Sequence, residues 1–102
     1  METSSVRKVA LITGSTSGIG LGIASVLASK GYDIVVNGFG GPEVIEAVVK
    51  ECQGRGAERV EYHGADLSKA DQIGEMFKFI LDKFGHSPDV LVNNAGKRLD
   101  GI

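Results

Sequence analysis

Gly14, Gly18 and Gly20 stand in a G-x-x-x-G-x-G spacing within Thr13-Gly14-Ser15-Thr16-Ser17-Gly18-Ile19-Gly20. Positions without a side chain let the main chain turn tightly and approach a bulky anion, which a Cβ would forbid. Lys8-Val9-Ala10-Leu11-Ile12 before the turn reads as an apolar strand, and the residues after it read as a helix. A helix opening on such a turn directs unpaired N–H groups and the positive end of its dipole at the anion. Strand, glycine turn and helix in this order hold the pyrophosphate of a dinucleotide. A glycine triplet alone is only a turn, so the flanking elements carry the argument. The Ser15 and Ser17 hydroxyls are candidate donors to phosphate or ribose oxygens, and Ile19 lies between the last two glycines.

Two further polar clusters follow strand-like runs: Ala65-Asp66-Leu67 and Asn93-Asn94-Ala95-Gly96. Asp66 has two readings, as an acceptor for an adenine amino group or as a helix cap, a role also open to Ser68. Asn93 and Asn94 likewise read either as ligand contacts or as supports for the strand end. His63 and His86 have no recognisable partner spacing and read as strand-end or loop residues.

The elements that must position these residues alternate along the chain. Val9–Thr13 is the first strand, and the first helix runs from about Ile19 to Lys30, with an apolar stripe of Ile19, Ile23, Val26 and Leu27 and a stop at Gly31. Ile34-Val35-Val36 is apolar at consecutive positions, as a parallel strand covered on both faces requires. Pro42 suits the first turn of a second helix carrying Val44, Ile45, Val48, Val49 and Cys52 on one side, closed by Gly54 and Gly56. Arg59–His63 is a less apolar strand, expected near a sheet edge. The third helix carries Ile73, Met76, Phe77, Ile80, Leu81 and Phe84 at a 3.6-residue period. Val90-Leu91-Val92 is the fourth strand. The order βαβαβαβ predicts an α/β fold, a Rossmann-like doubly wound parallel sheet ending after its fourth strand.

Composition narrows the function. The 102 residues carry a formal net charge of −2, which argues against nucleic acid as a partner. No apolar run approaches the roughly 20 residues needed to span a bilayer, and the start shows no secretory pattern, so no membrane partner is expected. One cysteine excludes an internal disulfide and fits a reducing compartment, expected to be the cytoplasm or alternatively a mitochondrial matrix. Cys52 falls on an apolar helix stripe and reads as a small core residue.

The glycine turn, Ala65-Asp66-Leu67 and Asn93-Asn94-Ala95-Gly96, in this order and each at a strand end, resemble the short-chain dehydrogenase/reductase family. The loops Gly14–Ala24, Asn37–Gly40 and Gly64–Lys69 are similar to those of its 3-hydroxybutyrate dehydrogenases. The resemblance implies an oxidoreductase exchanging hydride between NAD and a small hydroxy acid or ketone, in a homo-oligomeric parent. It implies that Gly14, Gly18, Ile19 and Gly20 border the pyrophosphate and nicotinamide side. Asp66 and Leu67 would border the adenine, and Asn93, Ala95 and Gly96 the ribose. NAD is expected over NADP, because Asn37-Gly38-Phe39 after the second strand carries no cation for a 2′-phosphate. Phe39 could pack on the adenine.

The family's proton-transfer pair, Tyr-x-x-x-Lys, does not occur: Tyr32 is followed four residues on by Val36, and Tyr62 by Asp66. No catalytic residue is named. Residues 1–96 are expected to be the N-terminal part of a cofactor-binding domain, and 97–102, where Lys97-Arg98 departs from the family, a divergent disordered tail. The chain is thus expected to be a cofactor-binding fragment or a non-catalytic truncated isoform, inactive alone and prone to aggregate at an uncovered fourth strand.

Overall fold

The computed structural model describes residues 7–95. Seven elements follow one another as β1 (Val9–Ile12), α1 (Gly18–Ser29), β2 (Asp33–Val36), α2 (Pro42–Arg55), β3 (Val60–Tyr62), α3 (Ala70–Phe84) and β4 (Val90–Val92). The strands form one parallel sheet in the order β3-β2-β1-β4. The chain winds outward from β1 to β3, then crosses to place β4 on the other side of β1. That reversal makes a crevice at the carboxyl ends of β1 and β4, where α/β sheets bind ligands. β3 lies at a sheet edge, as its weaker apolar character requires, and β4 lies at the other edge among the described residues.

Every residue of β1 and β2 is buried, so their consecutive apolar positions serve two cores. Ala10, Ile12, Ile34 and Val36 face α1 and α2, meeting Ala24, Ala28, Val48 and Cys52. Val9, Leu11 and Val35 face the opposite way onto Met76 and Ile80 of α3. The period of two along a strand divides one apolar run between two helix layers. Carboxylates fasten the end of the sheet remote from the crevice. Asp89 Oδ2 accepts the Val9 N–H at 2.8 Å and ties β4 to β1. Asp33 Oδ1 accepts from Arg7 Nε at 2.9 Å and from the N–H groups of Glu58 and Arg59 at 3.0 Å.

The helices depart from the sequence reading at several positions: Val44 of the predicted α2 stripe and Leu81 of the α3 stripe are exposed, because each lies at the rim of its helix's buried face, and α1 and the start of α3 differ further. In α1 the buried residues are Gly20, Ala24, Ser25 and Ala28; of the predicted stripe, Ile23 and Leu27 pack half-buried against this core, while the other two do not. Ile19 and Val26 are 77% and 53% exposed. With Ile23 and Leu27 they line an apolar groove beside Val90 and Val92 of β4. The α1 helix is apolar on more than one side, and the sheet takes the small side chains because they allow the closest approach. In α3 neither Asp66 nor Ser68 is the cap: Lys69 holds that position, without a side-chain bond to the helix. Gly31 closes α1 as expected, donating to Ala28 O while the Tyr32 N–H donates to Leu27 O.

Candidate functional site

A cleft of about 880 Å³ opens at the carboxyl ends of the strands, within the size range of small-molecule sites. One wall is the β1–α1 turn. Gly14 and Gly18 have φ of 64° and 60°, left-handed values that favour glycine. Gly20 is buried where α1 crosses the turn, and a Cβ there would overlap the Gly14 carbonyl. The helix begins with Ser17 in extended backbone, no side-chain cap and no acidic residue in its first turn. The first N–H groups of α1 are therefore unclaimed by a cap, and an anion in the cleft meets them.

The other walls come from the ends of β2, β3 and β4. Asp66 lies after β3, and its Oδ1 accepts from Ser68 Oγ at 2.7 Å and Ser68 N at 3.0 Å. These bonds, the hydroxyl's first, hold the Asp66 carboxyl below the usual carboxylate range, so it is an anion at neutral pH. Its own N–H donates to Gln72 Oε1 at 2.8 Å, which anchors the turn to α3.

Gly14, Ser17, Ile19, Phe39, Asp66, Leu67, Asn93 and Ala95 all line this one cleft. Gly18 and Gly20 do not line it: Gly18 is exposed at the start of α1, and Gly20 is buried against the Gly14 carbonyl. Gly96 and the predicted tail lie outside the described residues. Ser15 is placed differently from its expected role as a ligand donor. Its hydroxyl is fully buried, donates to Ile12 O at 2.7 Å and accepts from Asn37 N at 3.1 Å. Side chains alternate across the turn, so Ser17 faces out where Ser15 faces in.

Two residues that hold the site together, Asn37 and Thr13, were given no such role by the sequence, and a third, Asn94, reads there either as a ligand contact or as a support. Asn37, 1% exposed, joins three strand ends. Its Oδ1 accepts the Gly14 N–H at 3.3 Å, and its Nδ2 donates to His63 O at 3.0 Å and Ala65 O at 3.1 Å. Asn94 is the member of the asparagine pair that supports structure: Nδ2 donates to Thr13 O at 3.2 Å and Gly14 O at 3.1 Å. Asn93 is exposed on the cleft. Thr13 completes the staple, its Oγ1 accepting the N–H groups of Asn94 and Ala95, each at 3.0 Å. A polar residue ending a buried apolar strand was the available signal for both Asn37 and Thr13.

A parallel sheet in the order 3-2-1-4, with a glycine turn and an open helix start at its switch point, defines a Rossmann-like nucleotide-binding fold. The family model for short chain dehydrogenases matches residues 8–101, and the chain belongs to that family, whose members bind nicotinamide dinucleotides. A D-beta-hydroxybutyrate dehydrogenase of Cupriavidus necator is 54% identical over 89 residues, covering 87% of this chain and 33% of the relative. A crystal structure of a short-chain dehydrogenase/reductase from Sinorhizobium meliloti superposes with a TM-score of 0.85 at 41% identity, over 94% of this chain and 43% of the other. A metagenomic short-chain oxidoreductase solved with NADP superposes with a TM-score of 0.78 at 39% identity, over 92% and 42%. The chain spans about a third of the length of the curated relatives it matches.

Proposed function

We propose that this chain forms the cofactor-binding part of an NAD-dependent oxidoreductase acting on 3-hydroxybutyrate or a closely similar hydroxy acid. The observation that carries the reading is the single cleft in which the glycine turn, the uncapped start of α1 and the Asp66 carboxylate meet. Gly14, Gly18, Ile19 and Gly20 shape the bed for the pyrophosphate, and Ser17 Oγ donates to it. Asp66 accepts from the adenine amino group through the oxygen that Ser68 does not occupy, with Leu67 and Phe39 beside the ring. Asn93 and Ala95 line the ribose toward the nicotinamide. The bound nicotinamide supplies or accepts the hydride, while the residues of this chain bind and orient it.

The preference for NAD rests on charge. The described residues lining the cleft include Asp66 and no lysine or arginine, so a 2′-phosphate finds no cationic partner. The substrate class rests on the 54% identity to the hydroxybutyrate enzyme. Proton transfer belongs to the family's Tyr-x-x-x-Lys pair, which does not occur in these 102 residues, so this stretch binds cofactor without turning over substrate. Residues 1–96 act as the N-terminal part of the dinucleotide-binding domain.

Calorimetric titration of the 102-residue chain with NAD, NADP, S-adenosylmethionine and flavin mononucleotide tests the reading. NAD is expected to bind about tenfold or more tighter than NADP, the worth of one missing charge-assisted contact, and the other two not at all. Binding of S-adenosylmethionine or flavin mononucleotide without NAD binding would overturn it.

A further inference from the structure

Asn37 is the one asparagine of this chain followed by glycine; Asn93 precedes Asn94, and Asn94 precedes Ala95. Asparagine is among the thermally labile side chains. Its weak point is the main-chain nitrogen of the next residue, which attacks the side-chain amide carbon. A following glycine leaves that attack unhindered, because no Cβ stands beside the nucleophile and the backbone turns freely. The dipeptide that ends β2 thus carries a route to its own chemical change.

The fold blocks that route at both reacting groups. The side-chain amide is held by three bonds: Oδ1 accepts from Gly14 N at 3.3 Å, and Nδ2 donates to His63 O at 3.0 Å and Ala65 O at 3.1 Å. Ring closure expels the very nitrogen that makes two of them. The peptide that carries the Gly38 nitrogen is pinned as well. Asn37 O accepts from Ser15 N at 2.7 Å, and one residue on Gly38 O accepts from Tyr62 Oη at 2.6 Å. Asn37 is 1% exposed, so water that would complete the reaction is kept out.

We infer that Asn37–Gly38 is a latent deamidation site, kept closed by the clamp beneath the cleft, opened by local loosening of the β2 end, and one-way once converted. In the first step the Gly38 nitrogen loses its proton and bonds to Asn37 Cγ. The Cγ–Nδ2 bond breaks, and Nδ2 leaves with that proton as ammonia. Water then adds to one of the two imide carbonyls and breaks its bond to the nitrogen. Addition at Cγ gives aspartate; addition at the main-chain carbon gives an isoaspartyl linkage that runs the chain through Cγ. No oxidation or reduction occurs. Either product lacks the two donors that His63 O and Ala65 O require. The isoaspartyl product also lengthens the main chain between the Ser15 and Tyr62 anchors. The loosened end therefore does not close again, whatever ligand the cleft holds.

The test incubates the 102-residue chain at mildly alkaline pH, folded and in denaturing urea, and follows conversion at each asparagine by peptide mass mapping. In urea Asn37 is expected to convert ahead of Asn93 and Asn94; the reverse order overturns the proposal. Folded, Asn37 is expected to convert at least about tenfold more slowly, because conversion waits on opening. Equal rates in the two conditions overturn the clamp. Tyr62→Phe releases one anchor and is expected to raise the folded-state rate about fivefold, the worth of one neutral hydrogen bond. Ile80→Val costs comparable stability in the core facing α3 and is expected to leave that rate within about twofold of the parent. Equal acceleration by both variants would mean that global unfolding is the gate, which overturns the local clamp. Should Tyr62→Phe lose its circular dichroism signature, Thr16→Val, which releases the Phe39 carbonyl held at 2.9 Å, is compared with Ile80→Val in the same way. Converted chain, isolated by ion exchange, is expected to unfold at lower urea than the parent, and recovery of the parent's midpoint refutes the one-way step.

Discussion

Replacing Asn37 with aspartate leaves the side-chain volume unchanged and removes a donor where two are used. The buried amide now satisfies three main-chain groups: it accepts from Gly14 N and donates to His63 O and Ala65 O. A carboxylate keeps the first bond and turns the other two into close contacts between oxygens. Leaving a buried polar group unsatisfied costs roughly 1–3 kcal/mol, and more beside a charge, so about 4 kcal/mol is expected for the pair of stranded carbonyls. That is a large share of the roughly 5–15 kcal/mol that holds a domain together. The assay is urea unfolding followed by circular dichroism, parent and variant side by side at several pH values. Burial raises the folded-state pKa of the introduced carboxyl above its unfolded value of about 3.9. The loss should therefore be smallest in acid, where the group is protonated in both states, and should grow as pH rises through the folded-state pKa. A loss below about 1 kcal/mol at neutral pH, or one independent of pH, would refute the three-way clamp. Although it introduces an acid at the end of β2, the variant should gain no affinity for NAD, because the side chain at 37 faces the core.

Gly20→Ala places a methyl group on the Gly14 carbonyl, a backbone atom with no room to yield; NAD titration should show binding lost, with about 1–3 kcal/mol of overpacking in the unfolding curve. Burial pushes the Cys52 thiol from 9.0 up to about 11, so the unfolded chain releases this proton first. Stability should accordingly hold below pH 9 and fall between about 9 and 11, and thiol-reagent labelling of the native protein at neutral pH should be slow unless it unfolds. Leu91 is 56% exposed on β4, a sheet edge among the described residues, so Leu91→Lys should reduce self-association in sedimentation velocity without lowering the thermal midpoint.

Much of the fold was legible because helix and strand periods differ and this chain obeys both. The seven elements, the weak edge strand β3 and the caps after α1 and α2 follow from apolar spacing and glycine placement. The α1 packing was legible only in part: Ile23 and Leu27 pack on the core as expected, and Ile19 and Val26 do not. Its large apolar stripe and its small-residue face have compatible helical periods, and period alone does not say which neighbour lies on which side. The apparent cap at Asp66 failed for a related reason: an aspartate can close a local turn with Ser68 as readily as it can cap a helix.

By itself the sequence determined the βαβαβαβ order, the glycine turn between β1 and α1, and the uncharged loop after β2. These depend on local chemistry, on what a Cβ permits and where apolar residues recur. Only the tertiary structure decided which polar groups remain free for a ligand. Ser15 and Ser17 are two residues apart and alike in type, yet one is locked under the turn and the other opens on the cleft. Asn37 and Asn94 are committed to partners 23 and 80 residues away, at Gly14. A hydrogen bond between strand ends exists only once the sheet has brought them together, so the cleft's floor was set by topology.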